Sequence, residues 1–189
     1  QKLNLSPYYL KPGFAFGGSC LPKDLPALLY KAKMLDVQLP ILGAVLPSNQ
    51  LQIERGVQAV VEKGKKKIGI LGFAFKAGTD DLRESPVVEL AERLIGKGYD
   101  LRIYDANVAL ATIRGANREY LLERIPHISR LLVPELEEVL AHSGTLVIGN
   151  GAPEFRDVPK AITEKQTIID LVRICESRSI AGVYEGLCW

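Results

Sequence analysis

The 189-residue sequence predicts an α/β chain: a doubly wound parallel sheet preceded by part of a helical domain. Three observations carry this expectation. From residue 65 onward, short β-rich runs alternate with helical segments, the pattern of right-handed crossovers between parallel strands. The first of those runs, KKIGILGFAF, is apolar without alternation, as a strand covered on both faces must be. Before residue 65 the apolar residues recur at three- and four-residue spacing instead. The expected division is therefore 1–64, the end of a helical central domain, and 65–189, a Rossmann-like domain.

Taken in order, the first helix is predicted over KDLPALLYKAKMLD (23–36), with Leu25, Leu28, Leu29 and Leu35 as its apolar stripe. Pro40 and Pro47 read as bends. After them QLQIERGVQAVVEKG (50–64) presents Leu51, Ile53, Val57, Val60 and Val61, and Gly64 closes the helix. A helical piece this small has a thin core. It is expected to pack on an upstream domain or a second subunit. KKIGILGFAF (66–75) is the first strand. SPVVELAERLIGKG (85–98) is a helix capped by Ser85, with Pro86 in its first turn and Gly96 or Gly98 at its end. DLRIYD, TLVIGN, TIIDLV and SIAGVYEG read as further strands, and REYLLERI, PELEEVLAHS and PEFRDVPKAI as helices.

Composition narrows the function. A net charge of +2 is too small to imply nucleic acid, and the longest basic run, Lys65-Lys66-Lys67, reads as a solvated helix exit. No apolar stretch approaches the roughly 18 residues of a membrane span, and the N-terminus has no signal-peptide pattern. Cys20, Cys175 and Cys188 form no CxxC, and His127 and His142 have no companion ligands. A disulfide framework and a metal site are therefore not expected, whereas a reducing, cytoplasmic compartment is. The chain opens at Gln1 with its chemistry close behind, so sequence upstream is expected to be missing.

Two stretches hold that chemistry. The crossover GILGFAFKAGTDDLR (69–83) lacks both GxGxxG and GxxxxGK[ST], so the usual phosphate cradles are absent. It carries instead Lys76 and Arg83, which would overhang the crevice at the strand carboxyl ends as a point charge and a two-oxygen grip. The alternative is that both form weak surface pairs with Asp80, Asp81 and Glu84. Asp105 stands where dinucleotide folds keep a ribose-binding acid, but without the glycine fingerprint it reads as a turn residue. In FAFGGSCLPKD (14–24), Pro22 fits a first helical turn, which puts Ser19 or Cys20 at the N-cap. The helix dipole and Lys23 favour a thiolate there. Gly17 and Gly18 offer unobstructed amides, and Asp24 is a candidate base. The alternative is a buried structural cysteine on a turn.

YYLKPGFAFGGSCLPKD (8–24) and GFAFKAGTDDLRESPVVEL (72–90) together resemble the two signatures of the nucleotide-sugar 6-dehydrogenases, the family of the UDP-glucose and GDP-mannose dehydrogenases. The resemblance covers essentially the whole chain. It implies an NAD-dependent, four-electron oxidation of a sugar C6 alcohol to a carboxylate, through a thiohemiacetal and a thioester on Cys20. It implies that Asp24 assists proton transfer, that Lys23 and Arg83 contact NAD, and that Tyr8, Tyr9, Lys11, Phe14, Gly17 and Lys76 hold the nucleotide sugar. FAFGGSCLPKDLPAL and the ending EGLCW are most similar to the branch that oxidises GDP-mannose in alginate-producing bacteria. Asn4 stands where UDP-using members tend to carry an arginine. The resemblance also implies a homodimer with shared active sites, and an NAD domain outside these residues, so the chain alone is expected to be inactive. The alternatives are a UDP-glucose or UDP-N-acetylhexosamine dehydrogenase, or a non-catalytic nucleotide-binding dimerisation module.

Overall fold

A computed structural model describes residues 13–108, 128–175 and 180–187, and Glu119 and Glu123 besides. The rest of the expected helix at 118–125, Ser179 at the head of the expected last strand, and Asn4, Tyr8, Tyr9, Lys11, His127 and Cys188 lie outside the described residues.

Two helices come first, α1 (Leu21–Met34) and α2 (Pro40–Val61). Pro22 sits at the second position of α1, where a missing N–H costs nothing. Of the predicted α1 stripe only Leu25 is buried, while Leu28 and Leu35 are 50% and 62% exposed. α2 departs from expectation: it is one helix of 22 residues that Pro40 opens and that runs through Pro47. An internal proline removes one ladder bond and crowds the carbonyl four residues before it. Here that residue is Gly43, on an exposed turn with open space around it, so water can satisfy the freed carbonyl. In the second half of α2, Ile53, Val57 and Val60 are buried as predicted, whereas Leu51 faces solvent.

The sheet has five parallel strands: β1 (Lys67–Leu71), β2 (Asp100–Tyr104), β3 (Thr145–Ile148), β4 (Thr167–Asp170) and β5 (Val183–Gly186). Their order is β2-β1-β3-β4-β5, that of a doubly wound, Rossmann-like sheet whose winding reverses between β1 and β3. β3 and β4 are buried throughout and β2 alternates, as inner and outer strands should. Ile68, Ile70, Val147 and Ile169 face one side, against Ile53, Val57 and Val60 of α2 and Val87, Leu90 and Leu94 of α3 (Pro86–Gly96). Leu71, Leu146, Ile148 and Ile168 face the other, against Val139 and Phe155. That second layer holds α5 (Leu136–His142), a 3-10 turn (Pro153–Asp157) and α6 (Val158–Ala161), whereas α4 (Ile128–Leu131) packs through Ile128 in the first.

Local chemistry sets the ends. α3 closes with Gly98 at φ 77°, its amide on the Ile95 carbonyl and the Tyr99 amide on that of Leu94, a Schellman stop. Ser85 is the N-cap by position, but its hydroxyl makes no capping bond and donates instead to the Phe73 carbonyl at 2.9 Å. The lysine run is less solvated than expected. Lys65 donates to the carbonyls of Gly144 and Lys165, and the Lys66 ammonium lies 4.5 Å over the Tyr99 ring. No helix among the described residues is long and apolar enough to cross a membrane.

Candidate active site

Ligands of open α/β sheets bind beyond the strand carboxyl ends, where the winding reverses. In this chain the segment ahead of α1 crosses that edge. A cavity of about 250 Å³ opens there, walled by Phe14 and Ala15 of the crossing segment, Phe75 after β1, Val87 of α3, Gly149 after β3 and Val172 after β4. A wider groove, about 620 Å³, lies between Gly13–Phe16 and the first half of α2, along Ile41, Val45, Ser48 and Asn49.

The crossing segment is held at four points. The Asn49 side chain pairs with the Phe16 backbone in both directions, at 2.9 and 3.0 Å. The Phe14 ring is buried against Gly56, where any Cβ would meet it at 2.7 Å. Gly18, at φ 85°, donates its amide to the Arg83 carbonyl at 3.0 Å. Gly17 lies so close to the next peptide that a Cβ on it would stand 2.1 Å from the Glu84 carbonyl oxygen. The two sequence signatures therefore touch, residue against residue. Of the two amides expected to be unobstructed, that of Gly18 is engaged by protein.

Cys20 is the N-cap of α1 and is exposed. Its carbonyl accepts the Lys23 and Asp24 amides, and the Ser19 hydroxyl lies 3.8 Å from its sulfur. The Lys23 ammonium pairs with Asp24 at 3.3 Å, both well exposed. Lys76 is exposed on the loop that follows β1, and the Thr79 hydroxyl donates to its carbonyl. Phe14, expected to touch the sugar nucleotide, has its ring in the core and contributes to the cavity wall from there.

Arg83 grips Asp81 through two bonds of 2.8 Å, from Nε and Nη2, and its own amide donates to the same carboxylate at 3.1 Å. The Arg83 side-chain bond, opposed by partial burial, holds the Asp81 carboxyl below the usual carboxylate range. Asp81 in turn raises Arg83, with smaller contributions from Cys20 and Asp80. A depressed folded value contributes stability that is present above the unfolded value and is lost as pH falls through the folded one. Protection of the Arg83 amide against hydrogen exchange should hold from neutrality down to about pH 4, the ordinary carboxylate value, and fail only below it. Loss of that protection at pH 5 to 6 contradicts the assignment.

Sequence reasoning did not single out Asn49, Phe75, Asn150, Asp170 or Tyr184. Asp170 is wholly buried at the end of β4 and accepts the Val172 and Ile174 amides and the Tyr184 hydroxyl. Burial first, then Asp170, pushes the Tyr184 phenol far up. The usable signal is an acid or amide closing an apolar strand, as in TIIDLV and TLVIGN. Among the described residues no cluster of three or more metal-ligating side chains occurs.

Residues 69–177 match the model of the UDP-glucose/GDP-mannose dehydrogenase family, UDP binding domain, and residues 1–51 match the central domain of the same family. The chain belongs to that family. Among its relatives, GDP-mannose 6-dehydrogenase of Pseudomonas aeruginosa is 53% identical over 189 residues, all of this chain and 43% of the relative. The enzyme of the same name from Azotobacter vinelandii is 47% identical, again over 43% of its length. The chain thus spans less than half of these curated relatives. A crystal structure of a ternary complex of GDP-mannose dehydrogenase from P. aeruginosa superposes with a TM-score of 0.90 over 100% of this chain and 43% of that one. UDP-glucose dehydrogenase of Pyrobaculum islandicum superposes at 0.76 with 28% identity, over 94% and 39%. Within this family chain, the region matched as UDP binding domain includes Lys76, Arg83 and the strand ends that wall the cavity.

Proposed function

We propose that this chain carries the reactive thiol and the nucleotide-sugar site of an NAD-dependent nucleotide-sugar 6-dehydrogenase that oxidises GDP-mannose to GDP-mannuronate. The observation that supports the reading is the Gly17–Gly18 contact with Arg83–Glu84, since it ties the segment leading into the exposed Cys20 to the loop that helps to wall the strand-end cavity. We read 1–64 as the part that brings the thiol and 65–189 as the part that binds the nucleotide. In the second part Lys76 neutralises phosphate and Phe75 offers an aromatic wall, while Tyr8, Tyr9, Lys11 and Gly17 complete the sugar side.

A dinucleotide does not fit the crossover after β1. The glycine fingerprint is missing, and both oxygens of Asp105 are occupied by protein N–H groups. What the chain offers NAD is the charge of Lys23 and Arg83, each paired with a carboxylate of its own segment. When bound, NAD supplies the hydride acceptor at each of the two oxidation levels. Between them Cys20 keeps the carbon in the site. Its sulfur bonds to the C6 aldehyde carbon while the aldehyde oxygen takes up a proton. Loss of that proton and of a hydride leaves a thioester. A water oxygen then adds, the C–S bond breaks, and the sulfur regains its proton as the carboxylate is released. Asp24, one helical turn after the thiol, receives the proton of that water. A thiol used this way must stay reduced, which favours the cytoplasm.

Leu28, Tyr30, Met34, Leu35 and Ile41 are at least half exposed along α1 and the start of α2. So much bare apolar surface supports a homodimer, or docking against the rest of the enzyme. The family description, UDP binding domain, favours a second reading with a UDP sugar as substrate. Steady-state NADH formation by the complete enzyme with GDP-mannose, UDP-glucose and a UDP-N-acetylhexosamine separates the two. GDP-mannose should lead in kcat/KM, and this chain by itself should form no NADH. A lead for either UDP sugar overturns the choice.

A further inference from the structure

The loop from Phe73 to Ser85 carries Phe75, Lys76 and Arg83, and buried polar side chains bond its two ends. Phe73 and Ala74 leave the sheet directly after β1, and both amides donate to one oxygen of Asp105, at 2.7 and 3.0 Å. The Asn150 amide, from the end of β3, reaches that same oxygen and the Ala74 carbonyl, each at 3.3 Å. The second Asp105 oxygen takes the Asn107 amide, and the Asn150 oxygen takes that of Ala152. Asp105 is 7% exposed and Asn150 4%. The far end of the loop returns to the same place, because the Ser85 hydroxyl donates to the Phe73 carbonyl. A Cβ on Gly149 would lie 2.3 Å from the Gly72 carbonyl oxygen, so the strand ends meet with no slack.

We propose that Asp105 and Asn150 are positioning residues for the nucleotide-sugar site: a buried latch across the carboxyl ends of β1, β2 and β3 that fixes the 73–85 loop and, through the Arg83–Gly18 bond, the Cys20 segment. For its ligand the proposal rests on the function proposed above. Hydrogen bonds to a carboxylate are about twice as strong as neutral ones, and a buried acceptor left without a donor is costly. Two consecutive amides on one oxygen also fix a direction as well as a distance. Phe75 and Lys76 follow immediately and take their direction from it. The acid that closes the second strand thus braces protein backbone, where dinucleotide folds use it on a ribose.

The test is hydrogen exchange and steady-state kinetics on the complete enzyme with Asp105→Asn and Asn150→Ala. Exchange at residues 73–85 and at the Gly18 amide should quicken about tenfold, with β1, β3 and β4 as protected as before. KM for the nucleotide sugar should rise roughly tenfold, on the scale that small misplacements of binding groups cost. Asn150→Ala leaves the Asp105–backbone bonds in place, so it decides the matter should Asp105→Asn fail to fold. Unchanged exchange in the loop, faster exchange with an unchanged KM, or equal loss of protection in every strand of both variants overturns the proposal. If the unsubstituted enzyme turns over no nucleotide sugar, the function proposed above fails. Exchange at Gly18 and in the loop then decides the latch by itself, rising in support and staying level against.

Discussion

Cys20→Ser, introduced into the complete enzyme, is expected to cut NADH formation from the nucleotide sugar by about 10³-fold or more, on the scale seen when a covalent nucleophile is removed. The substitution is nearly isosteric, and it replaces a thiol by a hydroxyl that ionises far less readily and adds poorly to a carbonyl. It should not disturb the fold. Cys20 is exposed at the N-cap of α1 and makes no capping bond with its side chain, while serine is among the preferred residues at that position. The melting temperature should therefore stay level or rise slightly, within about 2 °C. A large kinetic loss with an unmoved melting temperature belongs to chemistry. A variant that turns over normally removes the thiol from the reaction and with it the mechanism proposed for this chain.

The same N-cap position shows how far a sequence can be read. Pro22, the glycine pair and the charges after it located the start of α1, because each acts within one helical turn. The parallel sheet was legible for a similar reason: strands buried on both faces, such as Thr145–Ile148 and Thr167–Asp170, advertise themselves as apolar runs. Pro47 misled, because an exposed proline can sit within a helix once packing of Ile53, Val57 and Val60 on α3 holds the rest. Ser85 also misled. Its hydroxyl has a nearby amide to cap and a distant carbonyl to serve, and only the return of the loop onto β1 decides between them. Asp105 was legible as a turn residue, since its oxygen takes the Asn107 amide, but its hold on Phe73 and Ala74 joins residues more than thirty apart. The Arg83–Asp81 pair, two residues apart, was by contrast among the surface pairs that the sequence offered. Contacts of the range that Asp105 makes are set by the winding of the sheet, and no local pattern encodes them.

Gly17→Ala should separate the two signatures without unfolding the sheet. The added Cβ would stand 2.1 Å from the Glu84 carbonyl oxygen, 2.9 Å from its carbon and 3.0 Å from Cδ of Pro86. None of these is the end of a flexible side chain. Glu84 already holds a φ of 50°, a region that non-glycine residues seldom occupy, so its peptide has little freedom to turn away. The segment that carries Cys20 must yield instead, and the first bond to go is the one from Gly18 to Arg83. Overpacking of this kind costs about 1–3 kcal/mol. A shift of about 1 Å at a reacting group costs on the order of 100-fold in rate. Turnover of the complete enzyme should accordingly fall about 100-fold, and the Gly18 amide should lose its protection while β1, β3 and β4 keep theirs. Gly96→Ala, at the end of α3 with nothing within 4 Å of the new methyl, should change neither quantity. Equal behaviour of the two alanine variants means that the close contact of Gly17 with Glu84 does not hold the thiol at the cavity, since only that contact distinguishes them.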